Sequence, residues 1–267
     1  MNTKRLPKSE FEKMAKLAWE KYLKLKPSVV VLGDDNALKY LGKKFSKTST
    51  PVVYLGINNN PRVYDMVRHK NITGVLERPL LKRSILYIKD IIKIKKILVL
   101  FDTGTSSSAI AKDIFNNKSS ISLNDVEIDI KFIDDYSIWQ KTILESKKNN
   151  YDVLIIGSCN IIKDDKQNYV DLEELIIWTS KNTPIPPFSF WEFSVASNKT
   201  IGGYVLFGEE QGKAAGAIIL DILSGKSPGE IQAKIPEKGK FLFSKFQLKK
   251  WKIKLTKRIK DKASFYK

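Results

Sequence analysis

The chain has 267 residues, 42% of them apolar and 10% aromatic, with a formal net charge of +18. This length and composition fit one large globular domain or two small lobes, each with its own core, and exclude a disordered chain. The longest apolar run, residues 214–220, is far too short to span a bilayer, and the lone Cys159 excludes an intramolecular disulfide.

The opening MNTKRLPKSEFEKMAKLAWE has no apolar signal core. Residues 8–25 read as an amphipathic helix, with Phe11, Met14, Ala18, Tyr22 and Leu25 on one face. Residues 28–32 read as a buried strand, and Asp35 as the cap of a short helix over 36–43. Strands follow at 52–56 and 72–75, and Pro79 stands where the next helix begins, over 80–93. The alternation then restarts, with strands at 97–101, 126–133 and 153–156. Between and after them come helices at 107–116, 137–148 and from the Asp171 cap to 181. Residues 185–188 form a short Pro-rich edge strand, 203–207 another strand, and 209–224 a helix with a small-residue face at Gly212, Ala215 and Gly216. Residues 232–236 and 241–244 read as extended crossovers, and 246–251 and 256–265 as short terminal helices.

Short β-branched runs alternating with helices imply mainly parallel sheets flanked by helices, hence an α/β fold. Two such units are expected: 1–78 with about 208–236, and 79–207 with about 237–267. No low-complexity linker separates them, which suggests two lobes with a cleft between. The first unit reads as lacking its first strand and helix, because the opening MNTKRLP has no strand pattern and leads straight into a helix. A shortened reading frame or a truncated chain is the expectation that follows.

Much of the charge is local. From Lys249 to Lys267 there are nine lysines or arginines against one acid, Asp261. This reads as a solvated face rather than a nucleic-acid patch, because Lys far outnumbers Arg and no recognition motif accompanies it. His69 is the only histidine, which excludes histidine-rich zinc sites. Asp102–Ser106 spells DTGTS, the string of an aspartic-protease loop and of a sugar-kinase phosphate loop. It occurs once, inside an α/β pattern, whereas proteases need two aspartates sharing a proton. No nucleophile–base pair, metal cluster or P-loop can be assembled, so no enzyme and no cofactor is expected.

DDNALKYLG, PVVYLGIN, NITGVLERP and GGYVLFGEEQGKAAGAIILDILSGKSPGEI together resemble the solute-binding proteins of a class of ABC transporters. These have the type I periplasmic-binding-protein fold, and some resemble binders of tryptophan or other aromatic amino acids. The resemblance covers nearly the whole chain. It implies a two-lobed clamshell that closes on a small polar solute, a membrane permease as partner, a monomer, and a periplasmic or extracytoplasmic location. Related modules serve as sensor domains of signalling proteins, which stands as the alternative.

In parallel α/β sheets, ligands bind outside the carboxyl ends of the strands. The candidate contacts follow from that rule. Asp34, Asp35 and Asn36 end the first strand, where a carboxylate can hold an ammonium group. Asn58 and Asn59 end the second, although Asn before Pro61 also serves turn chemistry. Thr105, Ser106 and Ser107 open a helix whose amides can receive a carboxylate. Ser158 and Asn160 follow a later strand, and Trp191 and Phe193 supply aromatic surface, with core packing as the commoner fate of such residues.

Overall fold

The structure, a computed structural model, describes residues 1, 3, 4, 6–236 and 239–266. Asn2 and Arg5 of the opening, residues 237 and 238 at the expected boundary, and Lys267 of the basic segment lie outside the described residues. In chain order the elements are α1 (Phe11–Leu25), β1 (Val30–Gly33), α2 (Asp35–Phe45), β2 (Val52–Ile57), β3 (Ile72–Leu76), α3 (Leu81–Ile91) and β4 (Lys96–Phe101). Next come α4 (Thr105–Phe115), β5 (Ser120–Leu123), β6 (Val126–Phe132), α5 (Tyr136–Leu144), β7 (Val153–Ile156), α6 (Leu172–Asn182), β8 (Pro187–Ser189) and β9 (Gly202–Val205). Last are α7 (Gly208–Leu223), β10 (Lys240–Ser244), α8 (Lys245–Lys250), α9 (Lys257–Lys260) and β11 (Ala263–Tyr266). The chain divides into two compact units, 1–78 with 208–237 and 79–207 with 238–267.

The first unit is built on a parallel sheet of order β1-β2-β3. Side chains alternate across a strand, so successive residues of β2 serve different layers. Val52 and Tyr54 join the core beneath α1 and α2, with Leu38, Leu41 and Phe45. Val53 faces the other way, toward Ala215, Ile218 and Ile222 of α7. The small-residue face of α7 contributes only Ala215 to this core. A Cβ at Gly212 or Gly216 would meet nothing within 4 Å, so neither glycine is there for close packing. Alanine at both positions is therefore expected to stabilise the protein by about 0.8 kcal/mol each, through helix propensity alone. A urea denaturation curve of the double variant checks this.

The second unit holds a five-stranded sheet of order β5-β6-β4-β7-β8, parallel except for the β5–β6 hairpin. Helices cover both faces, which is why β4 and β7 are continuous apolar runs. Ile97, Val99 and Phe101 pack with Leu81, Ile85, Ile110 and Phe115. Leu98 and Leu100 pack on the other face with Trp139, Ile143, Leu175 and Ile176. Trp139 is wholly buried, and its Nε1 donates to Thr179 Oγ1 at 2.8 Å, so its polar edge is satisfied.

Three expectations change. Residues 120–123 form a strand, because Asn124 and Asp125 both adopt left-handed φ (50° and 60°), the two-residue turn that closes a hairpin. Residues 241–244 are not a crossover but the centre of a small second sheet, β11-β10-β9. Only 257–260 of the expected last helix is helical; 263–266 pairs in parallel with β10, burying part of Ala263 and Phe265. The basic segment is thus anchored: Ile253 and Leu255 pack against the core, and Lys250 Nζ donates to the Ser180 carbonyl at 3.0 Å.

Candidate functional site

In the first unit, the loops after β1 and β2 are tied together by one buried carboxylate. Asp35 is 1% exposed. Its Oδ2 accepts from the Asn58 amide at 3.1 Å, and its Oδ1 from the Asn59 amide at 3.0 Å and the Tyr64 hydroxyl at 3.2 Å. Asp35 is the first residue of α2 and not its cap. Asp34 holds the cap position with φ 75°, makes no side-chain cap bond, and pairs with Lys4 at 2.9 Å. Asn36 accepts no role in this tie; its Nδ2 donates to Thr3 Oγ1 at 3.2 Å.

The carbonyl side of the same loop is held by Arg78. Its guanidinium donates to the carbonyls of Ile57 (2.9 Å), Asn58 (2.7 Å) and Asn59 (3.3 Å). An anion therefore takes the amides and a cation the carbonyls of one short segment. Each bond is charge-assisted and about twice as strong as a neutral one. Asn58 lies within this frame at 4% exposure. Its Nδ2 donates to Glu77 Oε2 at 3.2 Å and more weakly to the Gly56 carbonyl at 3.4 Å, while its Oδ1 is buried without a hydrogen-bond partner. Asn59 Nδ2 donates to Tyr64 at 3.1 Å.

The second unit repeats the device. Asp102 directly follows β4 and is 2% exposed. Oδ1 accepts from the Gly104 amide (3.0 Å) and the Ser107 hydroxyl (2.6 Å); Oδ2 accepts from the Ser158 hydroxyl (3.2 Å) and the Asn160 amide (2.7 Å). It thus joins the start of α4 to the loop after β7. Asn160 Nδ2 continues the chain to Ser158 Oγ at 3.0 Å. The consequence for anion binding is direct. A carboxylate already complements the amino end of α4, so a second anion there meets like charge. Ser107 is fully buried, whereas Thr105, Ser106, Ser158 and Asn160 are partly exposed.

Trp191 and Phe193 separate in role. Trp191 is 8% exposed and lies in the core, edge-on to Phe190 at 5.9 Å. Phe193 is 44% exposed and stacks on Trp191 at 6.4 Å. A second exposed ring, Phe132, ends β6 and stacks on Phe101 at 5.9 Å. It lines a cavity of about 410 Å³ with Thr103, Ser108 and Ile130. Cys159, beside Asp102, is buried, and desolvation and the Asp102 charge push its thiol well up, so it stays protonated and unreactive at neutral pH.

Sequence reasoning missed Asp102 as an organiser, along with Arg78, Tyr64 and Phe132. Asp102 had a signal, being an acid set directly after five buried strand residues. No signal marked Arg78, whose role depends on three carbonyls at the end of β2 and in the loop after it. With both oxygens of Asp102 engaged by protein donors, the DTGTS string is a structural turn. Among the described residues no group of three or more His, Cys, Asp or Glu is placed to hold a metal ion.

Burial also makes a titration prediction. Desolvation pushes Tyr54 up to about 12, against a smaller opposing effect of Arg78. Tyr151 is pushed up to about 12 by desolvation and by its bond to Asp129. Tyr64 is raised further by burial and by the neighbouring Asp35 charge. A raised folded-state pKa favours the folded state fully below the unfolded value near 10, and that contribution is lost as pH rises toward the folded value. Phenolate absorbance is expected to show these tyrosines ionising late, with stability falling from about pH 10 to about 12.

Each unit thus carries a polar cluster at its strand ends, knit by one buried aspartate. The chain belongs to the ABC transporter substrate binding protein family, which it matches over residues 14–266. That family is one of binding proteins and not of enzymes, and membership implies a small-molecule ligand and a transporter permease as partner. Among solved structures, the chain is similar to an ABC domain from Streptococcus pneumoniae in complex with L-Trp. The TM-score is 0.71 at 15% identity, covering 98% of this chain and 84% of that one. It is also similar to a conserved domain protein from Vibrio cholerae (TM-score 0.69, 15% identity, 96% and 84% covered). A third is a substrate binding protein with adhesive properties from Clostridium difficile, in its ligand-free, open structure (TM-score 0.68, 14% identity, 96% and 84% covered). No curated protein matches the chain in sequence.

Proposed function

We propose that this chain is the extracytoplasmic solute-binding component of an ABC transporter. Its ligand is a small polar solute, with amino acids the first class to test, held by the strand-end loops of both units in the cleft that a two-lobed fold implies. The observation that carries this reading is Asn58. A buried amide oxygen without a partner, in a loop otherwise pinned at its amides and carbonyls, is costly unless a donor arrives to satisfy it. An ammonium or N–H group of a ligand is such a donor.

The assignments follow from what each group has left to offer. Asp35 and Ser107 are consumed by the frame and act as positioning residues. Asn58 and Asn59, with Asp34 and Asn36 at the rim, supply polar contacts from the first unit. Thr105, Ser106, Ser158 and Asn160 supply them from the second. Phe193 offers the exposed ring for a flat ligand, with Trp191 as its backing. Closure on the ligand shifts the equilibrium only by the ligand's differential affinity for the closed state. The closed monomer then docks on a membrane permease.

Thermal-shift screening of the full chain against the amino acids tests the reading. Tryptophan heads the screen because the similar Streptococcus pneumoniae protein was solved with L-Trp. A hit is expected to weaken by about tenfold in Asn58→Ala, the loss of one buried hydrogen bond to a charged group. Absence of a shift with every small solute would count against the reading.

A further inference from the structure

The first unit carries a concavity at the end of its sheet opposite the Asp35 cluster. It has a volume of about 630 Å³ and is lined by Lys47, Arg68, His69 and Lys70 together with Ser49 and Asn71. Pro51 and Asn71, which immediately precede β2 and β3, both line it. It therefore opens at the amino ends of strands whose carboxyl ends lead to Asn58, about 20 Å away along a six-residue strand. The two sites are independent.

Its chemistry is one-signed. Lys47, Arg68 and Lys70 bring basic side chains to it, and none of the residues lining the hollow is an acid. Among the described residues, none of the three enters a salt bridge, whereas other cations of this unit do, as in Lys4–Asp34, Lys13–Glu10, Lys213–Glu209 and Lys226–Asp221. Cations gathered in a concave site with no counter-charge raise the local potential, and an anion relieves it. His69 also lines the hollow; its Nε2 donates to the Asp65 carbonyl at 2.6 Å, which fixes the ring.

The frame around these charges is rigid. Asn71 Nδ2 donates to the carbonyls of Phe45, Thr48 and Thr50 at 2.9, 2.9 and 3.0 Å, so one amide holds the whole 45–50 turn. The Gly229 amide donates to the Lys70 carbonyl at 2.9 Å, and a Cβ at Gly229 would stand 3.0 Å from Lys70 Cα. The turn after α7 therefore lies directly on the Lys70 backbone. Arg68 itself holds φ 68°, a left-handed conformation costing a non-glycine residue about 1 kcal/mol. Glycine or asparagine would adopt this conformation at lower cost.

We propose that this hollow is a binding site for phosphate-type anions, carried either by a soluble polyphosphate or by the head group of an anionic lipid. Its volume lies in the range of ordinary ligand pockets and exceeds what one phosphate needs. Lysines bind phosphate as point charges, and Arg68 adds a planar donor pair.

The test uses the full chain and two probes at constant ionic strength. Pyrophosphate is titrated while backbone amide resonances are followed, and vesicles of neutral lipid with and without phosphatidylglycerol are used in co-sedimentation. Binding of either probe should perturb residues 46–71 and 227–229. It should weaken by about tenfold or more in the Arg68→Asn, Lys70→Gln double variant. Asparagine is chosen because it tolerates left-handed φ, so the fold is kept; Lys47→Gln, in an exposed turn, is the independent second variant. Response to pyrophosphate identifies a soluble anion, and response to anionic vesicles alone identifies a lipid head group. The proposal is overturned if neither probe binds, or if binding survives both variants because the basic segment 249–262 carries it.

Discussion

Replacing Asp102 by alanine is expected to lower stability by about 4 kcal/mol. Four donors converge on this one carboxylate: the Gly104 and Asn160 amides and the Ser107 and Ser158 hydroxyls. The hydroxyls can rotate toward other acceptors, but the two amides are fixed by the backbone. With Asp102 at 2% exposure, little water replaces what is lost. Asparagine is the sharper variant. It keeps the shape but offers one oxygen, and its own NH₂ must then point at a pair of donors, so Asp102→Asn is expected to cost nearly as much as Asp102→Ala. Ser107→Ala, which removes one donor and leaves three, should cost only about 1 kcal/mol. Urea denaturation followed by tryptophan fluorescence measures all three. A small effect of Asp102→Asn would mean that the four bonds do not hold the loops together.

That network also marks where the sequence was legible and where it was not. The elements of both sheets could be read because buried parallel strands are short apolar runs, as in KILVLF and VLII, and their helices have clear apolar stripes. The strand-end rule then pointed at Asp35, Asn58, Ser107 and Ser158 without structural help. What it could not do was divide them by role. Asp35 and Asn58 are both polar residues after a strand, yet one carboxylate is saturated while one amide oxygen is left without a partner. That difference is set by pairings across 23 and 24 residues of chain, which periodicity does not encode. The same limit hid β10 and β11. KFLFS and ASFY carry only weak patterns, and each becomes a strand through its neighbours in the small sheet.

Gly157→Ala is the second variant with a large expected effect, about 3 kcal/mol of destabilisation. A Cβ at this position would stand 2.2 Å from Phe101 Cε1 and 2.3 Å from Cδ1, closer than any real contact. Neither partner can retreat easily. The Gly157 amide donates to the Leu100 carbonyl at 2.7 Å, which fixes the backbone of residue 157 against β4. The Phe101 ring is fully buried and packs near-parallel to Phe132, with centroids 5.9 Å apart, and to Phe190, at 6.1 Å. Relief must come from moving the ring stack or the loop that carries Ser158 and Asn160, so ligand affinity should fall together with stability. A double-mutant cycle separates this clash from a general intolerance of the loop. Phe101→Leu alone opens a cavity and destabilises, but it also removes the ring atoms that the new methyl group would strike. The combined variant is therefore expected to be more stable than the two single effects predict, by about 1 kcal/mol or more. Strict additivity would place the cost of Gly157→Ala in the backbone of the loop and leave the Phe101 stack without a part in shaping the site.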